Sequence, residues 1–274
     1  MKLKKILLSW AKATYRYIRN NMPSGKKAVD KSMEIQERVK RSGALLKTLY
    51  DGNIITILNG PFMGLRYIDS SNGSQLFPKL IGSYEEPIQK WIHEVMEWGE
   101  YATIIDVGCA EGYYAVGFSR AKSKPRILAF DIDKDALENA KKLAFINGAS
   151  DVVSFYELFK PSTVSTLLKN DPANKILIFM DIEGAEIDLL NADETPDILS
   201  CDILVELHDC FHPGLTEKII EKFQETHMIE ITVDYPWRLN NYSLNGRDFS
   251  EEDKQYMFDE RRPKAMRWMY ARKK

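Results

Sequence analysis

Residues 102–114, with the sequence ATIIDVGCAEGYY, decide the fold class of this chain. The apolar run 102–107 is typical of a buried β-strand, and Gly108 and Gly112 allow a tight turn before the helix that follows. Apolar strands that alternate with helices predict an α/β fold, namely a doubly wound, mostly parallel, Rossmann-like sheet with helices on both faces. Comparable strands are predicted at residues 126–131, 152–156, 175–181 and 201–206, with an added edge strand at 229–233.

Carboxylates lie at the end of the first strand, in the turn after it and at the end of the second strand. Asp106 and Glu111 place negative charge at the turn, whereas a pyrophosphate binds bare backbone amides at a helix N-terminus. Asp131 ends the second strand, where a carboxylate accepts hydrogen bonds from both hydroxyls of a ribose. S-adenosylmethionine has a ribose and a positively charged sulfur but no phosphate. We therefore expect it to be the cofactor.

The segment after the fourth strand reads Asp-Ile-Glu-Gly-Ala-Glu at 181–186. It resembles the FkbM-type family of class I S-adenosylmethionine-dependent methyltransferases, and the chain is also similar to an uncharacterised bacterial group of predicted methyltransferases over roughly residues 80–270. The similarity to that group is carried by residues 80–85, 109–118, 201–209 and 262–268. The resemblance implies that the cofactor is bound by Tyr84, Glu85, Asp106, Gly108, Cys109, Ala110, Gly112, Asp131, Ile132, Glu157 and Asp181.

The same segment bears on which atom is methylated. Methyltransferases of this fold that act on base or amide nitrogens carry Asn/Asp-Pro-Pro-aromatic after the fourth strand, and no proline stands at 181–184 here. The 38 basic and 40 acidic residues give a net charge of −2, which also disfavours a nucleic-acid partner. We expect O-methylation of a small-molecule or glycan-like acceptor, and the glycan preference rests on family analogy alone.

A hydroxyl acceptor needs a group that takes its proton, and three interpretations remain open. In the preferred one, His208 is the base, Asp209 orients it, and no metal takes part. In the second, Asp181 and Asp209, with or without His208, bind Mg²⁺, which lowers the pKa of the hydroxyl. In the third, these residues cap the loop and have a structural role. A peripheral-membrane enzyme that methylates a lipid-linked glycan and a non-catalytic S-adenosylmethionine-binding protein are separate alternatives.

Aromatic and basic residues alternate in the C-terminal segment, where they form a lid over a sugar or an anionic substrate, or else pack on the sheet. We expect four segments along the chain. They are basic amphipathic helices at 1–50, a small β hairpin with a cofactor-closing segment at 51–85, the S-adenosylmethionine-binding domain at 86–235 and a C-terminal lid or tail at 236–274. The candidate substrate-binding residues are Glu183, Glu206, Trp237, Arg262 and Trp268.

The N-terminal segment 1–27 contains basic residues and no acidic one, with apolar residues at helical spacing. This pattern predicts a basic amphipathic helix that docks on the protein, mediates self-association or makes peripheral contact with a membrane. No apolar stretch is long enough for a transmembrane helix, and the three cysteines have no paired spacing. We expect a cytoplasmic protein, with a membrane-peripheral location as the alternative.

Overall fold

The computed structural model describes residues 26–235, 238, 240–262 and 266–274, with side chains from residue 36 onward. The chain divides into two compact units. The first unit runs up to Ile54 and includes Leu244–Lys254, and the second comprises Ile55–Ser243 and Gln255–Lys274.

A seven-stranded sheet forms the centre of the second unit, in the order β3-β2-β1-β4-β5-β7-β6. Strands β1 to β5 pair in parallel, whereas β7 runs antiparallel to both of its neighbours. The strands are β1 (Thr103–Val107), β2 (Arg126–Phe130), β3 (Val153–Tyr156), β4 (Ile176–Met180), β5 (Asp202–Leu207), β6 (His227–Val233) and β7 (Arg267–Lys273).

The chain moves outward from β1 to β3 and then returns to β4 on the other side of β1. Because parallel crossovers are right-handed, this reversal places the connecting helices on opposite faces of the sheet. The predicted doubly wound, mostly parallel α/β fold is thereby confirmed. The helices are α1 (Lys26–Tyr50), α2 (Leu76–Ile81), α3 (Gln89–Glu97), α4 (Tyr113–Phe118), α5 (Lys134–Ile146), α6 (Ser162–Asn170), α7 (Glu186–Leu189), α8 (Leu215–Phe223) and α9 (Glu251–Phe258), with 3₁₀ turns at Glu86–Ile88 and Pro196–Ser200.

The reversal point fixes where a ligand can bind. Every residue of β1 and β4 is buried, as expected for central strands covered by helices on both faces. The carboxyl ends of these two strands are neighbours, with Val107 paired to Met180. In open α/β sheets the ligand crevice lies at this position, where it is bounded by the loops after the neighbouring strands β1, β2, β4 and β5.

The C-terminal segment contains a strand that the sequence did not predict. Strand β7 inserts between β5 and β6, and the side chain of Trp268 in it is 0% exposed. Its ring centroid lies 5.4 Å from that of Phe179 on β4. Trp268 is therefore a core residue, and its interpretation as a substrate-binding lid residue is wrong. The edge strand predicted at 229–233 is confirmed as β6.

In the first unit, Arg41 on α1 pairs with Asp253 at 2.8 Å, and the Asn245 side chain donates a hydrogen bond to the Leu49 carbonyl at 3.0 Å. The amphipathic helix predicted for residues 1–27 lies almost wholly outside the described residues, since α1 begins at Lys26. Among the helices that the structure does describe, none combines the length and apolar character needed to cross a membrane.

Candidate active site

The turn between β1 and α4 depends on both of its glycines. Gly108 has φ +86°, and a Cβ there would lie 1.8 Å from the Asp181 carbonyl oxygen. Gly112 has φ +91°, and a Cβ there would lie 3.2 Å from the Cβ of Ala140 on α5. The glycines therefore bring the β4 loop and α5 against the turn, which is the close packing expected from their spacing.

Asp106 is the most unusual group at this edge of the sheet. Asp106 is 1% exposed, and neither carboxylate oxygen has a partner of good hydrogen-bond geometry among the described residues. Burial, together with the neighbouring carboxylates of Asp131 and Asp181, raises the pKa of Asp106 well above its usual range. The backbone amide of Ala115 lowers this pKa, but by less than burial raises it. A buried carboxylate without a cationic partner is costly, and a cationic ligand would offset that cost.

Asp131, directly after β2, has a fixed orientation. Its Oδ2 accepts a hydrogen bond from the Ala110 amide at 2.8 Å, and its Oδ1 accepts one from the Asp133 amide at 2.8 Å. Burial raises the pKa of Asp131, while these two amides oppose the shift. Each oxygen keeps a lone pair, so the carboxylate remains able to accept two further hydrogen bonds.

Glu111 does not face the ligand side of the turn, contrary to the sequence interpretation. Its carboxylate is buried and forms an ion pair with Lys79 at 2.6 Å. Lys79 therefore neutralises the negative charge of Glu111, which the sequence analysis expected to face the ligand. Of the two acids at the turn, only Asp106 supports the prediction of a cationic ligand.

His208, which follows β5, lies among carboxylates from β5 and from the segment after β4. Its Nδ1 lies 2.6 Å from Glu186 Oε1, and its Nε2 lies 3.3 Å from Glu206 Oε2 and 3.7 Å from Asp181 Oδ1. Asp209 points elsewhere, since it accepts hydrogen bonds from the amide and the hydroxyl of Thr216 at the start of α8. The prediction that Asp209 orients His208 is therefore wrong, and Glu186 has that role.

The same contacts decide the protonation state of His208. Burial alone would lower its pKa, but the hydrogen bonds and negative charges of Glu186 and Glu206 outweigh burial and raise the pKa to about 12. At neutral pH the ring is an imidazolium, which has no lone pair to accept a proton. His208 thus stabilises the surrounding carboxylates, and the geometry disfavours its predicted role as the base.

Asp181, directly after β4, is a carboxyl group placed among other acids. Burial raises its pKa well above the usual range, and the charge of Glu206 adds to this, while His208 acts in the opposite direction. Its side chain keeps 27% of its surface exposed, so part of it is reachable from outside. A partly accessible carboxyl group with a raised pKa binds a proton more strongly than an ordinary aspartate does, which suits a proton acceptor.

Arg262 connects four separate parts of the chain through its guanidinium group. It contacts Glu85 at 2.6 Å, Glu206 at 2.5 Å and Glu260 at 2.9 Å, and it also contacts Asp234. The protein's own carboxylates therefore occupy its hydrogen-bonding groups. This disfavours the prediction that Arg262 clamps an anionic substrate, and it likewise places Glu206 in the network rather than at an open surface.

Comparisons with known proteins find similarity at the level of structure only. No protein-family model and no curated protein sequence matches the chain. The human methyltransferase 10 domain containing protein is 13% identical over 85% of this chain and 96% of its own, with a TM-score of 0.46. An O-methyltransferase from Bacillus cereus in complex with SAH is 11% identical over 95% and 97% of the two chains, with a TM-score of 0.41. The O-methyltransferase TomG from Streptomyces achromogenes, in complex with SAM, is 14% identical over 63% and 74%, with a TM-score of 0.39.

The remaining predicted site residues divide into buried and exposed groups. Tyr84 and Glu85 are buried before α3, and the Glu85 carboxylate accepts a hydrogen bond from the Tyr114 hydroxyl. Cys109 is buried in the turn, whereas Ile132 is 37% exposed beside Asp131. The other two described residues lie further out: Glu157 pairs with Lys134 at 3.0 Å on the surface, and Glu183 has a largely exposed side chain and φ +57°. Trp237 lies outside the described residues.

The residues that could bind Mg²⁺ in the structure differ from the predicted ones. Asp209 does not join Asp181, and the cluster of potential donor atoms within 4.8 Å of one another comprises Asp181, Glu206 and His208. Two of these three are already engaged, because Glu206 contacts Arg262 and His208 carries a proton between carboxylates. The donor set is therefore a poor match for a divalent cation.

Glu186 is a buried residue of this site that the sequence reasoning missed. It was part of the quoted 181–186 segment, but no role was assigned to it. Its Oε1 accepts a hydrogen bond from the Gly184 amide at 3.0 Å and lies against His208, so it ties the β4 loop to the β5 loop. The two glutamates of the Glu-Gly-x-Glu pattern thus differ, with Glu186 buried and Glu183 exposed.

Proposed function

We propose that this protein is an S-adenosylmethionine-dependent methyltransferase that acts on a hydroxyl oxygen of a small-molecule or glycan-like acceptor. The observation that carries the proposal is the buried carboxylate of Asp106, which has no cationic partner within ion-pair distance among the described residues and whose pKa is raised by burial and by the nearby carboxylates of Asp131 and Asp181, at the switch point of the sheet. The FkbM-type resemblance agrees with this proposal and stays a prediction, as does a cytoplasmic location.

The residues present fit this cofactor. Asp106 offers an unpaired carboxylate to the positively charged methionine end, and Asp131 offers two oriented oxygens to the ribose hydroxyls. Ile132, partly exposed beside Asp131, provides apolar surface for the adenine. When bound, S-adenosylmethionine supplies an activated methyl group, and this chain's residues align the acceptor and manage its proton.

Asp181 is the residue that we assign as proton acceptor. It ends β4 beside the Gly108 turn, its side chain is partly exposed, and its raised pKa brings it closer to that of a useful base. His208, fixed as an imidazolium, moderates the charge of Asp181 from 3.7 Å without taking the proton itself. Oxygen is favoured over nitrogen because the segment after β4 lacks the proline pair typical of nitrogen methylation.

Two measurements test this function. Isothermal titration with S-adenosylmethionine and with its demethylated product, S-adenosylhomocysteine, measures cofactor affinity. A tritiated methyl donor with a panel of sugars, nucleoside sugars and phenols then measures transfer. We expect micromolar binding and transfer to a hydroxyl compound. Cofactor binding with silence across the panel would favour the non-catalytic alternative, and absence of binding would overturn the assignment.

Asp131→Ala is expected to weaken S-adenosylhomocysteine binding by roughly tenfold or more, because two charge-assisted hydrogen bonds to the ribose are lost. Titration calorimetry of the purified variant measures the effect. Glu138→Ala is the matched control, since Glu138 is an exposed acid on α5 that pairs with Lys141 at 2.7 Å. Equal affinity of Asp131→Ala and wild type would show that the ribose binds elsewhere.

Treatment with EDTA is expected to leave methyl transfer unchanged, because Arg262 and the His208 imidazolium already balance the carboxylates that a metal would need. Turnover is measured after dialysis against EDTA and after dialysis against buffer alone. Loss of activity that Mg²⁺ restores would instead support the metal-assisted alternative.

A further inference from the structure

Glu111 stands at the centre of the cofactor turn, but its carboxylate points into the protein. Four donors converge on it. Its Oε1 accepts hydrogen bonds from the Tyr67 hydroxyl at 2.6 Å, the Ser71 hydroxyl at 2.9 Å and the Lys79 ammonium at 2.6 Å. Its Oε2 accepts one from the Asn72 amide at 2.9 Å. Burial would raise the pKa of Glu111, but the charge and hydrogen bond of Lys79, together with the hydrogen bonds from Tyr67 and Asn72, outweigh burial and lower the pKa, so the group is ionised.

All four donors come from the segment 67–79, which precedes β1 and is irregular up to the start of α2 at Leu76. Lys79 on α2 is itself 3% exposed, and its ammonium lies 5.1 Å from the ring centroid of Tyr84 and 5.6 Å from that of Tyr113. The Lys79–Glu111 pair therefore joins this segment to the turn, with two tyrosine rings against the cation.

The neighbouring backbone gives this ion pair a consequence for the ligand side. Ala110 has φ +46°, in the left-handed region that residues with a Cβ seldom adopt. In this conformation the Ala110 amide donates its hydrogen bond to Asp131 Oδ2. A strained conformation persists only where surrounding contacts hold it. Glu111 follows Ala110 directly in the chain, so the four hydrogen bonds to Glu111 are contacts that can hold Ala110 in this conformation.

We propose that Glu111 is a positioning residue for Asp131, acting through the Ala110 amide. The four buried donors fix Glu111, Glu111 fixes the Ala110 conformation, and the Ala110 amide orients the carboxylate that binds the ribose. This inference rests on the proposed cofactor. It explains why a fully buried ion pair lies at a turn whose ligand is cationic: the charge of Glu111 serves the fold of the turn, and Asp106 serves the ligand.

The test is Glu111→Gln, which keeps the size of the side chain and removes its charge. We expect the dissociation constant for S-adenosylhomocysteine to rise on the order of tenfold, because misplaced binding groups lose much of their contribution. In the Asp131→Ala background, the same change should alter the constant by less than about twofold, because a residue that acts through another shows no independent effect.

A pH series separates positioning from a loss of general stability. Two effects of Glu111→Gln on the pKa of Asp131 oppose each other: loss of the Ala110 hydrogen bond raises this pKa, and loss of the negative charge of Glu111 lowers it. The hydrogen bond is the larger contribution, so the pKa should rise on balance. The decline of S-adenosylhomocysteine affinity on acidification should therefore begin at a higher pH in Glu111→Gln than in wild type. Asp202→Asn is the matched control. Asp202 is a buried carboxylate at the opposite edge of the sheet that accepts a hydrogen bond from the Tyr101 hydroxyl at 2.6 Å, and its loss should leave the affinity unchanged.

The possible results distinguish failure of the proposed function from failure of the positioning role of Glu111. If wild type does not bind S-adenosylhomocysteine, the proposed function itself fails. If wild type binds and Asp131→Ala weakens binding, but Glu111→Gln binds like wild type or adds fully to Asp131→Ala, the positioning role alone is overturned. If Glu111→Gln does not fold, Tyr67→Phe decides. It removes one of the four donors and keeps Lys79, so we expect about two- to threefold weaker binding, and unchanged affinity would count against the proposal.

Discussion

Asp181→Asn is expected to lower kcat about 10²- to 10⁴-fold, the usual contribution of a positioned general base. The asparagine amide has nearly the same shape as the Asp181 carboxyl group. It cannot, however, take the proton from the hydroxyl group that is methylated. Affinity for S-adenosylhomocysteine should change little, because Asp106 and Asp131 supply the main cofactor contacts. Steady-state kinetics with an acceptor found in the panel measures kcat, and titration calorimetry measures the affinity.

The pH profile of the same enzyme provides a second readout. Because the pKa of Asp181 is raised, the group is protonated at acidic pH and inactive as a base, so kcat should rise with pH through that pKa. His208, with a pKa of about 12, stays charged across the pH range of the measurement. The pH profile of kcat should therefore show no second inflection near the ordinary pKa of histidine. Asp181→Asn should abolish the acidic limb.

Asp209→Asn is the matched control for Asp181→Asn. Asp209 also lies in a loop at the carboxyl edge, but it holds the start of α8 through Thr216. We expect its kcat to stay near that of wild type. A large fall in kcat for Asp209→Asn with none for Asp181→Asn would restore the sequence interpretation and refute the assignment of the base.

Arg262→Met is expected to lower the free energy of unfolding by about 3–5 kcal/mol, because removal of one partner leaves buried carboxylates uncompensated. Glu85, Glu206 and Asp234 are each buried, and Arg262 contacts all three. For a chain of this size, the loss corresponds to a fall in Tm of roughly 6–20 °C. Thermal unfolding followed by circular dichroism or calorimetry measures it.

The loss should depend on pH in a defined direction. In wild type, burial raises the pKa of Glu85 and Arg262 lowers it, so without Arg262 the pKa lies further above that of the unfolded chain. A carboxyl group of this kind stabilises the fold when protonated, and that stabilisation is lost as pH rises through the folded pKa. The Tm deficit of Arg262→Met should therefore be larger at pH 8 than at pH 5.

Arg267→Met provides the comparison for Arg262→Met. Arg267 is 45% exposed and lies 3.5 Å from both Asp209 and Glu217, so its contribution to stability should be small, about 0–1 kcal/mol. Equal Tm values for Arg262→Met and wild type at both pH values would show that the buried carboxylates are not held by this guanidinium.

Local patterns in the sequence were enough to predict the parallel part of the sheet and the glycine turn between β1 and α4. Apolar runs bounded by turns specify buried strands wherever they occur, and Gly108 and Gly112 were placed correctly by their spacing alone. Strand β7 was missed because its four buried residues, Trp268 to Ala271, stand between basic residues and mimic an amphipathic tail. Only pairing with β5 and β6 makes this segment a strand.

The sequence by itself determined which strand ends and loops carry acidic residues. It also determined that Asp106 and Asp131 lie at the same edge of the sheet. The tertiary structure decided which acids are available. It pairs Glu111 with Lys79, Glu206 with Arg262 and His208 with Glu186, across loops far apart in the chain. The physical reason is that strand and turn formation depend on neighbouring residues, whereas the charge state of a buried group depends on whatever partners the fold brings within a few ångströms of it.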